Sequence, residues 1–385
     1  MRIRLSIKAL SLLTVIASTP VSAIVASDNP DNWIAPSLLG LDGVGLLSIN
    51  SSNGSGECSG SLLSGGQYLL TAAHCITDHN TGLKTVTSMS VSFKGGAITA
   101  HGLEYFVHSG YSGFYNSSGN GSDLAIVKLS TIISEITGFG LSPTFDLGST
   151  FLMAGYGRIG TGATGDTTHS GGVLHYGFNV YETTHDHLRT TLFGSNGYSQ
   201  KYGETYYYDF DDGSPERNAI SRLYDFVGVS FTSDTGLNTA NGELLDAEAM
   251  MAKGDSGGGE FILKEGKWLL SGVHSFGNDW CGFYLPDCDV VSGRNSSFGE
   301  TGGSTAVHSN LVWINSIVQG NNAVPEPGSY LLVLLGLSLI QLIGNQRRPG
   351  TPACLNFACF CQSTAAISPS CGYPTASRCR PRYPD

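Results

Sequence analysis

Charged side chains are scarce in this sequence. Only 13% of its 385 residues are Asp, Glu, Lys or Arg, and the 31 acidic residues outnumber the 20 basic ones, for a net charge of −11. Because nucleic-acid affinity rests on clustered Lys and Arg that neutralise phosphates, no nucleic-acid partner is expected. The 41% of hydrophobic residues also exclude a disordered acidic tail. The composition therefore predicts a folded domain with a large core.

Long amphipathic helical patterns are scarce as well. Short apolar runs end in Ser, Asn, Asp or one of the 52 glycines, which favours short strands joined by tight turns. The chain is therefore predicted to be mainly β, with one short closing helix over residues 310–318. The predicted strands include residues 60–63, 68–73, 124–129, 151–155, 227–231 and 268–273.

The amino-terminal segment is typical of a secretory signal peptide. Basic residues Arg2, Arg4 and Lys8 precede an apolar run over residues 9–17 and then small residues ending at Ala23. Cleavage after Ala23 is expected, so that residues 1–23 are the signal peptide and residues 24–319 the main domain. An uncleaved anchor is the alternative, which the short apolar run disfavours. Export also permits disulfide bonds.

The composition of the sequence changes after Gln319. A short polar linker leads to Pro-Glu-Pro at residues 325–327, an apolar run over residues 330–343 and the pair Arg347 and Arg348. Residues 320–348 resemble the PEP-CTERM sorting signal of Gram-negative bacteria. The resemblance implies membrane contact through this segment before processing, removal of the tail by an exosortase, and a secreted or envelope-associated product. An ordinary carboxy-terminal anchor is the alternative.

Residues 349–385 depart from that pattern, because the signal normally ends shortly after its basic cluster. This stretch is rich in Pro and holds five of the nine cysteines. A cytoplasmic tail, a metal-binding tract and a translation artefact such as a frameshift near residue 349 all remain open, and the artefact is the favoured explanation.

A candidate nucleophile lies in residues 253–258, which read Lys-Gly-Asp-Ser-Gly-Gly. Glycines on both sides of Ser256 let the backbone turn tightly and bring amides close to a reacting carbonyl. Taken alone, the pattern is more often an ordinary turn.

Two further segments supply the groups that a serine nucleophile needs. Residues 70–75 read Leu-Thr-Ala-Ala-His-Cys, which places His74 at the end of an apolar strand as a candidate general base. Residues 122–129 read Ser-Asp-Leu-Ala-Ile-Val-Lys-Leu, in which Asp123 precedes another apolar strand and could orient an imidazole. A surface histidine and a turn aspartate are the default interpretations of each residue by itself.

Together the three segments resemble the trypsin/chymotrypsin family of serine proteases, in the same order of His, Asp and Ser. The resemblance implies two antiparallel six-stranded β-barrels, a short carboxy-terminal helix and a polypeptide substrate. It also implies an oxyanion hole from the amides of Gly254 and Ser256. Further expectations are a Cys58–Cys75 disulfide and a substrate-binding segment of Ser275, Phe276 and Gly277.

Several residues depart from the family pattern. Met250 replaces the aspartate at the base of the trypsin specificity pocket, so cleavage after Lys or Arg is not expected. Ala252 stands where relatives often have a cysteine, and Cys281 is expected to pair with Cys288 instead. A long tyrosine-rich insertion between Gly157 and Met250 is interpreted as an exosite or lid.

No cofactor and no metal are predicted. The acidic residues Asp209, Asp211 and Asp212 lack a complete calcium-loop pattern, so a solvated acidic turn is favoured. Cleavage after Ala23 would leave Ile24 as an amino terminus, and the resemblance implies that its amine pairs with Asp255 to order the oxyanion hole. The main functional alternative is a catalytically inactive binding protein of the cell envelope or extracellular matrix.

Overall fold

The computed structural model describes residues 24–117, 119–169, 172–194, 204–231, 248–282 and 284–320. The predicted signal peptide, sorting segment and tail lie outside these ranges. No helix within the described ranges is long and apolar enough to span a membrane.

Short β-strands dominate the described chain, as its composition predicts. The strands are β1 (Ile24–Ala26), β2 (Val44–Ser51), β3 (Gly54–Leu62), β4 (Tyr68–Thr71), β5 (Val86–Phe93), β6 (Ile98–Val107), β7 (Ala125–Leu129), β8 (Gly140–Leu141), β9 (Thr150–Gly155), β10 (Arg158–Thr161), β11 (Gly165–His169), β12 (His175–Val180), β13 (Thr183–Thr184), β14 (Thr205–Asp209), β15 (Ala249–Met250), β16 (Gly259–Lys264), β17 (Lys267–Asn278) and β18 (Thr301–Ala306). The α-helices are α1 (Phe114–Ser117), α2 (His185–Phe193), α3 (Ala219–Phe226) and α4 (Leu311–Val318).

The first half of the domain is a closed barrel with the strand order β2-β3-β4-β7-β6-β5. Its strands alternate buried and accessible positions, as β5 shows with Met89, Val91 and Phe93 inside. These side chains pack against Leu47 and Ile49 of β2. Each buried aliphatic or aromatic side chain of this kind contributes about 1.5–3 kcal/mol.

The second half is a curved eight-stranded sheet with the order β12-β9-β16-β17-β18-β14-β13 and β8 paired to β17. A separate four-stranded sheet, β11-β10-β1-β15, lies in the same half. The predicted chymotrypsin-like fold class is confirmed, although the second half is a half-barrel and not a closed six-stranded one. In this half β14, from the tyrosine-rich insertion, pairs along β18 from Thr205↔Thr305 to Asp209↔Thr301.

The tyrosine-rich insertion forms part of this core. Tyr206, Tyr207 and Tyr208 are all fully buried. Tyr181 stacks between Phe151 and Tyr206, with ring centroids 4.1 and 4.0 Å away. The described part of the insertion therefore extends the sheet, and these tyrosines are not the exposed surface that an exosite or lid would present.

One predicted strand is wrong. Residues 227–231 follow α3, whose buried side chains Ala219, Ile220, Leu223 and Tyr224 have helical spacing. The amides of Val227 and Val229 bond back to the Tyr224 carbonyl, and Gly228 has a φ of 75°. The alternating apolar pattern is thus the end of a helix. The predicted closing helix is confirmed as α4, with Ile314 fully buried.

Candidate active site

The turn that carries Ser256 requires glycine on both sides. Gly254 and Gly257 have φ values of 100° and 79°, which side chains rarely adopt. A Cβ on Gly257 would lie 2.0 Å from Thr71 Oγ1 and 2.6 Å from the Ser59 carbonyl oxygen. The Ser59 amide donates to the Ser256 carbonyl at 2.8 Å. Ser256 therefore lies directly against the first barrel.

Strand pairing brings His74 and Asp123 together. His74 lies just after β4 and Asp123 just before β7, and these strands pair with Thr71 opposite Ala125. His74 Nδ1 lies 2.7 Å from Asp123 Oδ2, and the His74 amide donates to Asp123 Oδ1 at 2.9 Å. The carboxylate thus holds both the ring and the backbone of the histidine.

Asp123 is 1% exposed, yet its pKa lies below the ordinary value. Burial acts to raise this pKa, but the nearby His74 charge and hydrogen bonds from His74 and Ser275 outweigh burial. The Ser275 hydroxyl donates to Asp123 Oδ2 at 2.6 Å. Asp123 is therefore kept as a carboxylate beside the imidazole.

The bond from Ser275 to Asp123 is a contact that the sequence did not indicate, because the resemblance places Ser275 only on the substrate-binding segment. Phe114 is a second such residue, with its ring edge-on to His74 at a centroid distance of 5.4 Å. His79 lies 5.9 Å from the His74 ring. Phe114 and His79 lie outside the motifs; His79 follows His74 by a few residues, whereas Phe114 reaches the site only through the fold.

Ser256 and His74 line the same two cavities, of about 400 and 500 Å³. Among the hydrogen bonds of the described residues, none joins the Ser256 hydroxyl to the His74 ring. Such bonds are often long before substrate binds. The structure places the two side chains at one cleft, and their catalytic roles stay predictions.

The backbone beside Ser256 has the donors that an oxyanion hole needs. In the described chain, the amides of Gly254 and Ser256 donate to no protein acceptor, while the neighbouring amides of Asp255, Gly257 and Gly258 all do. Two amides of the same turn, on either side of the bonded Asp255 amide, are therefore available at the cleft to a bound carbonyl oxygen.

Asp255 is fully buried beneath this turn. Its carboxylate accepts from the amides of Gly157 and Ala252, each at 2.8 Å. Burial raises its pKa to about 7, against the lowering effect of hydrogen bonds from Ala252, Gly157 and Ile24. The backbone nitrogen of Ile24 thus lies at Asp255, as the predicted activation pair requires. Ile24 itself is 1% exposed and lies in β1 between β10 and β15.

The predicted specificity residues lie close together in the structure. Ser275, Phe276 and Gly277 line the larger cavity, and Met250 lies behind Gly277, where a Cβ would be 3.4 Å from Met250 Cε. Met250 is 1% exposed and also packs with Ile24 and Val25, and its neighbours Met251 and Ala252 line the cavity wall. The other residues that line this cavity include Arg158, Lys253, Arg294, Asp166 and Glu300.

Both expected disulfides are present. Cys58 pairs with Cys75, whose Cα atoms are 6.3 Å apart, directly beside His74. Cys281 pairs with Cys288 at a Cα distance of 5.3 Å, near the carboxy-terminal end of β17. Together the two bonds account for all four cysteines of the main domain.

An acidic cluster lies away from the cleft. Asp209, Asp211 and Glu248 are buried, and their carboxylate oxygens lie within 4.8 Å of one another. The expected solvated turn is thus wrong for Asp209 and Asp211, and Glu248, not Asp212, completes the cluster. Backbone amides already occupy part of this cluster, since Ile220 donates to Asp209 and Gly213 to Asp211, each at 2.7 Å.

Comparisons with known proteins agree with these observations. The family model described as Trypsin matches residues 45–195, a range that includes His74 and Asp123 and ends before Ser256. No curated protein matches the sequence.

Three similar solved structures have low sequence identity to this chain. HL collagenase is 20% identical, with a TM-score of 0.47 over 74% of this chain and 96% of that chain. The thermostable serine protease AL20 from an extremophilic microorganism is 13% identical, with a TM-score of 0.42 over 71% of this chain and 94% of that one. The protease Anisep from Arthrobacter nicotinovorans is 13% identical, with a TM-score of 0.43 over 74% and 94%.

The Trypsin model therefore covers the part of the chain that carries His74 and Asp123, and the chymotrypsin-like fold places both residues at one cleft with Ser256.

Proposed function

We propose that this protein is a serine endopeptidase that hydrolyses peptide bonds through an acyl-enzyme on Ser256. The observation that carries the proposal is the 2.7 Å contact between His74 Nδ1 and Asp123 Oδ2 at the cleft that Ser256 also lines. With its Nδ1 proton directed at a carboxylate, the neutral ring presents an unprotonated Nε2 to the cleft.

In the first step, Ser256 Oγ attacks the carbonyl carbon of the scissile bond while His74 Nε2 takes the hydroxyl proton. The imidazolium then gives this proton to the leaving amine as the C–N bond breaks, which leaves an ester on Ser256. A water molecule repeats the sequence and releases the acid. Asp123 stays ionised throughout and stabilises the imidazolium in both halves.

The amides of Gly254 and Ser256 would stabilise the oxygen that becomes negative in each tetrahedral intermediate. A single donor of this kind is worth about 3–4 kcal/mol of transition-state stabilisation, because it is already oriented before the charge develops. The positive φ of Gly254 supports this role, since it sets the direction of the peptide planes around it.

Digestion of casein by the purified protein is the test of this proposal. We expect new internal peptides, identified by mass spectrometry, that increase with time and are blocked by a fluorophosphonate attached to Ser256. A protein that binds casein without cleaving it, and that takes up no fluorophosphonate, would instead be the inactive binding protein named above as the alternative.

The larger cavity supports a specificity other than Lys or Arg. Arg158, Lys253 and Arg294 line it, and the two acidic side chains there already have partners. Asp166 lies 3.8 Å from Arg158, and Glu300 accepts from the Asn295 amide at 2.7 Å. Burial also raises the Glu300 pKa to about 7, which reduces its charge near neutrality.

We therefore infer that the residue before the scissile bond is uncharged and apolar or of middle size, consistent with Met251 and Ala252 on the wall. In the same digests, bonds after Lys and Arg should be cut less often than their abundance in the substrate. A strong excess of cuts after Lys or Arg would overturn this specificity.

We also propose that export produces the active form. Removal of residues 1–23 would convert the Ile24 backbone nitrogen, which already lies at Asp255, into a charged amine. That charge would pair with the buried carboxylate and favour its ionised form, which stabilises the turn that carries Ser256. The sorting segment would be removed by an exosortase after export.

The intact mass of the protein collected after export tests both ends of the chain. We expect a mature species that begins at Ile24 and ends before residue 349. A mature amino terminus elsewhere, combined with full proteolytic activity, would contradict activation by signal-peptide removal.

A further inference from the structure

An ionisable pair lies beneath the nucleophile turn, and the mechanism above does not use it. His274 on β17 and Glu260 on β16 are both 0% exposed, with His274 Nε2 3.6 Å from Glu260 Oε1. Burying an acid and a base is unfavourable unless each has a partner. Within the described residues, no other basic side chain forms an ion pair with Glu260.

His274 contacts the chain on both sides of Ser256. Its Nδ1 lies 3.2 Å from the Asp255 carbonyl oxygen, its own carbonyl accepts from the Gly257 amide at 2.9 Å, and its amide donates to the Gly258 carbonyl at 3.0 Å. One residue therefore holds three of the residues that surround the nucleophile.

The partners of the ring determine where its protons lie. A carbonyl oxygen only accepts hydrogen bonds, so Nδ1 must carry a proton to bond Asp255. In the neutral ring, Nε2 is then an acceptor that faces Glu260. At 3.6 Å from Oε1, Nε2 forms no hydrogen bond with the described residues, but a small approach would let a protonated Glu260 donate to it, whereas an ionised Glu260 would face a lone pair. Ser304 Oγ donates to Glu260 Oε1 at 2.6 Å and so fixes the position of the carboxyl group.

The surroundings favour the neutral forms of both members. Burial raises the pKa of Glu260 to about 7, although Ser304, Tyr181 and Tyr208 act to lower it. Burial also lowers the pKa of His274 to about 4. The other titratable groups near the pair are Tyr181 and Tyr208, whose own pKa values burial raises, and Asp255.

We propose that His274 is a positioning residue for Ser256, and that a proton shared with Glu260 keeps the His274 ring bonded to the Asp255 carbonyl. When Glu260 loses that proton, its carboxylate attracts the ring proton to Nε2, so that Nδ1 becomes an acceptor and the bond to the Asp255 carbonyl breaks. The inference rests on the proposed function in one respect, because its test measures the reactivity of the Ser256 hydroxyl.

The test is the rate at which a fluorophosphonate labels Ser256 in the exported full protein, measured from mildly acidic to alkaline pH. In wild type, we expect the rate to fall above about pH 7, as Glu260 ionises. In Glu260→Gln the side-chain amide donates to Nε2 at every pH, so the alkaline fall should disappear. We express each labelling rate as a fraction of that protein's own maximum. At one pH unit above the wild-type transition, this fraction should be roughly tenfold higher in the variant than in wild type, because a single proton titrates.

Glu204→Gln is the matched control, because it removes a surface pair in which Glu204 lies 3.1 Å from His308. Its profile should equal that of wild type. If Glu260→Gln fails to fold, His274→Asn serves, since its amide can reach the Asp255 carbonyl but has no atom at the Nε2 position. This variant should also lack the alkaline fall.

Two outcomes overturn the inference, namely an alkaline fall that persists in the folded variant and a wild type that shows none. A wild type that is not labelled at any pH contradicts the proposed function itself.

Discussion

Replacing Ser256 with alanine is expected to lower kcat by about 10⁶-fold, the scale of nucleophile deletion in a serine protease that acts through a triad. The substitution removes the only atom that can form the acyl-enzyme, while His74, Asp123 and the two amides remain in place. KM should change little, because the cavity walls and Gly277 are untouched. Steady-state hydrolysis of a fluorogenic peptide taken from the casein cleavage sites measures both constants.

Ser134→Ala is the control for this substitution, since Ser134 is exposed and its hydroxyl donates to its neighbour Glu135. It should leave kcat unchanged. Residual activity of Ser256→Ala within tenfold of wild type would mean that another group is the nucleophile, or that a contaminating protease cleaves the peptide.

The second large effect is expected for Asp123→Asn, which should lower kcat by about 10⁴-fold. Asn has nearly the same shape but no charge, so it cannot stabilise the imidazolium. All three partners of this side chain are donors: the His74 amide, the His74 Nδ1 proton and the Ser275 hydroxyl. The NH₂ group of asparagine is also a donor, so it cannot bond the donors that it faces. The ring is then expected to take the tautomer with a proton on Nε2, which cannot accept from Ser256.

Rates of fluorophosphonate labelling at Ser256 separate this effect from loss of substrate binding, since the probe needs the base but not the peptide subsites. The matched control is Asp42→Asn, which removes a half-exposed carboxylate 3.1 Å from Lys94. It should leave labelling unchanged. Equal labelling rates in wild type and Asp123→Asn would remove Asp123 from the mechanism.

Each of the three motifs that meet at the cleft is a local pattern with a local cause. The small residues before His74 and the glycines around Ser256 are needed wherever a strand end and a tight turn approach each other, as the 2.0 Å clearance beside Gly257 shows. The partners of those residues were less predictable. The Ser275 hydroxyl and the Phe114 ring reach the site through the fold, and no spacing in the chain relates them to His74.

Specificity was harder to predict for a similar reason. Met250 was expected at the base of the pocket from its distance to Ser256 along the chain, but Arg158 and Arg294 also reach this cavity, and no spacing in the chain relates them to Ser256. Residues 227–231 show another limit, because a short apolar alternation does not reveal that it follows the end of a helix.

By itself, the sequence determined the mainly β fold class, the order and identity of the three candidate catalytic residues, and the Cys58–Cys75 pair through the family resemblance. These rest on local backbone requirements and on apolar patterns that persist along the chain. Only the tertiary structure decided that the tyrosine-rich insertion extends the second sheet, that Ser275 binds Asp123, and that Glu260 and His274 meet beneath the nucleophile. Those contacts join strands far apart in the chain, and burial, which sets their protonation, exists only once the strands have packed.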